Sequence, residues 1–281
     1  MPKRKTQERE CGVTEDDARK LSKSPDWEIA TAYQTCELQD YLQTTRCLDE
    51  WNIKGVLGVG TVGTVLGACT KRGVCAAVKI SRVTGGDDVN AALREVMLQK
   101  IAYPYAPKIY SHCFFEFARK KWSAIVMERI DGELDKYLTI RRPRKELVDI
   151  EKQLNSGIKH LCKNNMTHGD LVYFNIAYKV QPKSGIRVLF IDFDRATDQF
   201  CDSRLDVARL ILELYPAAMT PIMKAPDQYN QRVLLQLLLA RHADKFTAKE
   251  FEQLKTAGGA ERLWTKTYNA YCRLAAVKCL E

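Results

Sequence analysis

From Trp51 onward the chain runs through short segments rich in valine and glycine: WNIKGVLGVG, then TVGTVLGACT, then VCAAVKI, the last two joined across Lys71-Arg72-Gly73. Runs of this length, broken by tight turns, predict strands of an antiparallel sheet. The period then changes. Over Asp88–Ile101 the apolar residues Leu93, Val96, Met97 and Ile101 share one face of a predicted helix. Two further strand-like stretches, around Ser111–Phe117 and Ser123–Glu128, complete a predicted five-stranded lobe with one main helix.

After Gly132 helical spacing dominates. Glu146–Lys163 sets Leu147, Ile150, Leu154, Ile158, Leu161 and Cys162 along one stripe, the pattern of an amphipathic helix on a core. A short loop, His168–Asn175, leads to strand-like pieces at Ile176–Tyr178 and Val188–Ile191. Helices follow at about Leu205–Leu214, Asn230–Arg241, Ala248–Thr256 and Ala260–Val277. Upstream of Trp51, Thr14 with Asp17 resembles a capping box, and Ser24-Pro25 opens a longer helix to about Thr44. The predicted division is a helical extension over 1–50, a sheet-rich lobe over 51–128 and a mainly helical lobe over 129–281, an α+β bilobal fold.

A chain of 281 residues with 46% hydrophobic content can bury a sizeable core. Charged residues at 28% and aromatics at 9% exclude the disordered class. No apolar run reaches the roughly 18 residues that would span a bilayer, and MPKRKTQERE lacks the apolar centre of a signal peptide. The expectation is a soluble intracellular protein of the cytoplasm or nucleus, with no membrane partner. The 10 cysteines include no pair separated by only two residues, which argues against zinc and for reduced, buried small hydrophobes. The net charge of +9 divides as about −3 over residues 1–50 and about +6 over each predicted lobe. That excess suits anionic ligands, acidic proteins or nucleic acid without choosing among them, and nothing requires nucleic acid.

Three motifs carry chemistry. The first, Leu57-Gly58-Val59-Gly60-Thr61-Val62-Gly63-Thr64-Val65, fits G-x-G-x-x-G-x-V. A dinucleotide-binding unit would continue as a helix; this chain continues as a β-hairpin, whose glycines let backbone amides cover phosphates. The second is Lys79 on the returning strand, with Ala77 on the same face and Glu95 in the next helix as its carboxylate partner. The third is MTHGDLVYFNIAY followed by LFIDFDRA, which brings Asp170, Asn175 and Asp192 into order. Phosphoryl transfer needs one carboxylate to orient an attacking hydroxyl and hard oxygen ligands to hold Mg2+ against the phosphates. Asp170 suits the first task, and Asn175 and Asp192 the second.

This ordered set resembles the protein-kinase-like superfamily, over Leu57 to about Leu214. The resemblance implies a bilobal kinase fold, with ATP and Mg2+ bound and a protein hydroxyl as acceptor. It implies Lys79 on the phosphates, Glu95 as its partner, Asp170 as catalytic base, and Asn175 and Asp192 as magnesium ligands. Met127 falls at the gatekeeper place, the Glu128–Ile130 backbone would meet adenine, and Asp206 would brace the catalytic loop. Departures mark an atypical, compact branch. Gly169 stands where most regulated kinases carry arginine, so no basic group is expected there for a phosphorylated activation loop. Asp194 replaces the last glycine of the usual triplet, and only a short segment joins Asp194 to Asp206. A small-molecule kinase and a non-catalytic nucleotide-binding scaffold are the alternatives. The pattern does not reveal the oligomeric state.

Overall fold

The computed structural model describes residues 42, 48, 50–59, 63–84, 86–117, 119–182, 185–215 and 227–275. The helices expected within residues 1–50, apart from Leu42, and Gly60, Thr61 and Val62 of the glycine-rich motif lie outside the described residues. The chain divides into two compact units, residues 1–96 with 108–129 and residues 97–107 with 130–281. Among the described residues no helix is long and apolar enough to cross a membrane.

The first unit is a five-stranded antiparallel sheet: β1 (Asn52–Val59), β2 (Gly63–Cys69), β3 (Cys75–Val83), β4 (Ile109–Phe117) and β5 (Lys120–Glu128), in the order β1-β2-β3-β5-β4. Alternation sorts its faces. Leu66, Val78 and Val126 align across three strands and are buried, beside Ala68, Ala76, Ile80 and Ala124. Trp51, Ile53 and Trp122 close this core. The opposite set, Val65, Lys79 and Ile125, then Gly67, Ala77 and Met127, aligns in the same way on the other face. Gly63 must lack a side chain, because an added Cβ would run into the Ile80 carbonyl on β3.

Helix α1 (Gly86–Ala102) follows β3. The predicted apolar face is only partly the buried one. Val96, Leu98 and Ala102 are buried, whereas Leu93 and Met97 are exposed. The helix is turned by Glu95, which pairs with Lys79. At about 100° per residue, positions two before and two after Glu95 fall on the far side of the helix.

The second unit opens with β6 (Gly132–Glu133) and the short α2 (Leu134–Tyr137), then α3 (Arg144–Lys163). Leu147, Ile150, Leu154, Ile158 and Leu161 of α3 are all buried, on the stripe that the sequence predicts. The hairpin β7 (Ile176–Gln181) and β8 (Gly185–Phe190) completes a three-stranded sheet, β6-β7-β8. Helices α4 (Ser203–Leu212), α5 (Gln228–His242), α6 (Ala248–Leu254) and α7 (Ala257–Ala275) finish the unit. Their starts follow capping chemistry. Asp202 accepts from Arg204 N, Asp227 from Tyr229 N and Asn230 N, and Thr247 with Glu250 forms a full capping box. Fully buried Glu151 of α3 holds Arg241 of α5 in a two-pronged pair at 2.9 and 3.0 Å.

The expectation of reduced, buried cysteines is corrected. Cys69 and Cys75 are joined as a disulfide, as are Cys162 and Cys201, and Cys75 is exposed. The first pair follows from register. Cys69 and Cys75 stand opposite each other at the end of the β2–β3 hairpin with Cα atoms 4.0 Å apart, within reach of one bridge.

Candidate active site

Two clusters gather the residues singled out above, one in each unit. In the first, β3 carries Lys79 into the middle of the sheet, flanked by Val65 on β2 and Ile125 on β5. Ala77 and Met127 are neighbours one step along, on the same face as Lys79. Lys79 Nζ donates to Glu95 Oε1 at 2.6 Å, and both side chains are largely shielded, at 16% and 14% exposure. An ammonium on an apolar strand requires such a carboxylate, which fixes where the amine points. Leu57 is exposed on β1, and a Cβ added to the adjacent Gly58 would meet nothing within 4 Å among the described residues. Glu128 spends its backbone N–H on the Lys108 carbonyl at 2.8 Å, while Ile130 is half-buried at the start of the second unit.

In the second unit the β7–β8 hairpin does the assembling. Ile176 pairs with Phe190, so Asn175 and Ile191 leave the hairpin side by side. The Ile191 N–H donates to the Asn175 carbonyl at 2.9 Å, and Asp192 is the next residue. Asn175 Nδ2 turns to the Asp170 carbonyl at 3.0 Å and to Asp170 Oδ2 at 3.4 Å. That orientation leaves Asn175 Oδ1 as its acceptor. Asp192 takes φ 64°, the left-handed region, a strained setting for a side chain and frequent at functional sites. Asp194 is exposed.

The loop carrying Asp170 is anchored from beneath. Asp206, 2% exposed on α4, accepts the backbone N–H groups of His168 at 3.1 Å and Gly169 at 3.0 Å. This is the brace implied by the resemblance. Burial pushes the Asp206 carboxyl up to about 7, against the opposing pull of those two N–H donors. His168 is fully buried, its Nε2 against the Ile191 carbonyl at 3.1 Å and its ring on Phe193 at 4.9 Å. Burial holds its imidazole below the usual histidine range, that is, neutral.

Motif reading missed the cations beside Asp170. Arg195 Nε lies 3.9 Å from Asp170 Oδ2, and Arg209 Nε lies 3.9 Å from Oδ1. So although position 169 is glycine, two guanidiniums flank the carboxylate. No sequence signal singled them out, since Arg209 stands in LDVARLILEL with both Asp206 and Glu213 as nearer candidate partners.

Among the described residues no group of three or more His, Cys, Asp or Glu side chains forms a metal cluster. A cation here would draw on the Asn175 amide oxygen and the Asp192 carboxylate and on the phosphates it serves, a donor set suited to Mg2+ rather than to a zinc cage. The residues present fit that ion.

A glycine-rich hairpin with a shielded lysine–glutamate pair, and a second unit that carries Asp170 and Asn175 before the β7–β8 hairpin and Asp192 after it, define a kinase-like phosphotransferase of α+β bilobal fold. The chain belongs to the protein kinase domain family, whose model matches residues 51–209. No curated protein matches the chain.

Proposed function

We propose that the chain is a serine/threonine protein kinase that transfers the γ-phosphate of ATP to a protein hydroxyl, with Asp170 as the base. The observation that carries this reading is the placing of Asp170 and Asn175 in direct contact, with Asp192 one residue from a backbone bond to Asn175. Lys79, oriented by Glu95, binds the α- and β-phosphates, and the β1–β2 hairpin from Leu57 to Val65 covers them with backbone amides. Ala77 and Met127 form an apolar floor for the adenine, and the backbone from Glu128 to Ile130 supplies its edge contacts. Asp170 accepts the hydroxyl proton as the oxygen attacks phosphorus in line. Asn175 and Asp192 would hold Mg2+, which would supply positive charge against the phosphates.

Replacing Asp170 by Asn removes the proton acceptor and keeps its shape. Transfer from labelled ATP should fall by roughly 10²–10⁴-fold while the affinity for magnesium-ATP stays within about threefold. Transfer at the wild-type rate would remove Asp170 from the mechanism.

A second reading, a small-molecule kinase, is favoured by one observation. Thr167 bridges directly to Thr197, and α4 begins at Ser203, so the stretch after Asp194 is short. Incubating the protein with labelled ATP and a cell extract separates the two readings. Label in protein bands supports the first, and label confined to soluble metabolites supports the second.

A further inference from the structure

Asp170 has two charged neighbours for which the phosphoryl-transfer reading has no use. The 3.9 Å separations of Arg195 and Arg209 from its two oxygens are ion-pair distances, too long for hydrogen bonds. Oδ2 accepts from Asn175 Nδ2 at 3.4 Å, Oδ1 keeps its acceptor capacity for a substrate hydroxyl, and a cation on either side opposes rotation of the group.

Neither arginine is held by the catalytic loop. Arg209 is pinned by Glu213, the residue that caps the end of its own helix, at 3.1 Å, and its guanidinium lies 4.5 Å over the Trp264 ring. Arg195 donates from Nη1 to the Tyr268 hydroxyl at 2.7 Å, and the Tyr271 hydroxyl donates to the Arg195 carbonyl. Trp264, Tyr268 and Tyr271 sit at i, i+4 and i+7 on α7, with Trp264 and Tyr268 stacked at 5.0 Å. One face of the last helix thus holds both cations. Glu213 is 1% exposed, so Arg209 already has a buried counter-ion, and burial pushes that carboxyl above the usual range while Arg209 opposes it. The Nε edge of Arg209 is nonetheless buried with no hydrogen-bond partner among the described residues and faces Asp170. A pair serving only to stabilise α4 would not need that edge turned to the loop.

We propose that Arg195 and Arg209 are positioning residues for Asp170, and that the aromatic face of α7 is the brace that holds them. The orientation of the reactive carboxylate is then set by fixed contacts within the fold instead of by a modified loop. This rests on Asp170 acting as the base.

The test compares Arg209→Met, Arg209→Lys and Tyr268→Phe, with Arg209→Met also made in the Asp170→Asn background. Turnover of γ-labelled ATP is followed as transfer to the chain itself and to a casein–histone mixture, and as ATP hydrolysis. Misplacement of a reacting group by about 1 Å lowers rates by about 10²-fold, so Arg209→Met should lower kcat by about 10–100-fold with KM for ATP within about twofold. Arg209→Lys should recover part of the loss, and Tyr268→Phe should show a smaller one. In the Asp170→Asn background, Arg209→Met should change nothing further, because its partner is already gone. Amide exchange over residues 166–175 should rise by roughly tenfold in Arg209→Met while that of β7 holds, a readout independent of turnover. Unchanged kcat or unchanged loop exchange in Arg209→Met sinks the proposal and leaves Asp170 in place. An equal loss in both backgrounds sinks it as well, since Arg209 would then act apart from Asp170. Full turnover in Asp170→Asn alone would instead sink the base assignment on which it rests.

Discussion

Gly169 shows why the arginine usual at this place in the family is absent. Its φ of 83° lies in the left-handed region, where a side chain is strained, and an added Cβ would meet the Arg195 carbonyl and the Tyr271 hydroxyl, each at 2.6 Å. The space that a side chain would fill is taken by the contact between Tyr271 and Arg195, and the cations come from positions 195 and 209 instead. Gly169→Ala should therefore lower unfolding stability by about 2–4 kcal/mol, from backbone strain and overpacking together. The check is urea denaturation against wild type, and a loss below about 0.5 kcal/mol would mean that the loop relaxes freely. Gly169→Arg, which restores the family's usual residue, should be worse still. At this scale, residues whose neighbours are close in sequence were legible: Asp170 with Asn175, and Lys79 with Glu95 through the strand-to-helix step. The two arginines were not, because what places them is an aromatic face on α7 distant in sequence.

Elements were read well where period and burial agree. The α3 stripe follows its sequence pattern except at Cys162, which is half-buried and bridged to Cys201. The β2–β3 hairpin turns where the pattern predicts, with β3 running on to Val83. Helix α1 does not, because a charged pair overrode the apolar stripe and left Leu93 and Met97 exposed. A comparable conflict sits at the end of α5, where His242 is 1% exposed with neither ring nitrogen hydrogen-bonded among the described residues. Burial first, then the nearby charge of Lys245, lowers its pKa to about 4 from an ordinary 6.5, with Asp244 opposing and Arg241 and Lys159 adding to the fall. The sign follows from proton counting. Between pH 6.5 and 4 the unfolded ring binds a proton that the folded ring refuses, so stability is complete above 6.5 and declines as pH falls through that window. The loss is on the order of 2–3 kcal/mol by pH 4. Replacing His242 by Leu removes this titration. Chemical denaturation at pH 7 and pH 4.5 should show a smaller acid loss in the variant than in wild type, and equal losses would clear His242 of any part in it.

For the whole molecule, the proposed activity draws Lys79 and Glu95 from one compact unit and Asp170, Asn175 and Asp192 from the other. Family membership makes that division expected, and it can be tested through ligand linkage. A ligand that binds only the folded form stabilises it by about 2.7 kcal/mol when present at 100 times its dissociation constant. For units of this size that corresponds to a rise in melting temperature of several degrees. Calorimetry with ATP and Mg2+ should show that rise, and ATP with a chelator should show much less of it, because in the proposed mechanism Asn175 and Asp192 would act on the phosphates through the ion. The comparison uses the ligand-induced increment and not the absolute midpoint, since Lys79→Met also leaves Glu95, at 14% exposure, short of its cation. Lys79→Met and Asp192→Asn should each reduce the increment by more than half. Two substitutions in separate units that weaken the same magnesium-dependent increment would show that one nucleotide uses both. If Asp192→Asn kept the full magnesium-dependent rise, the second unit would have no hold on the ion, and a mechanism joining Lys79 to Asp170 through a single ATP would fail.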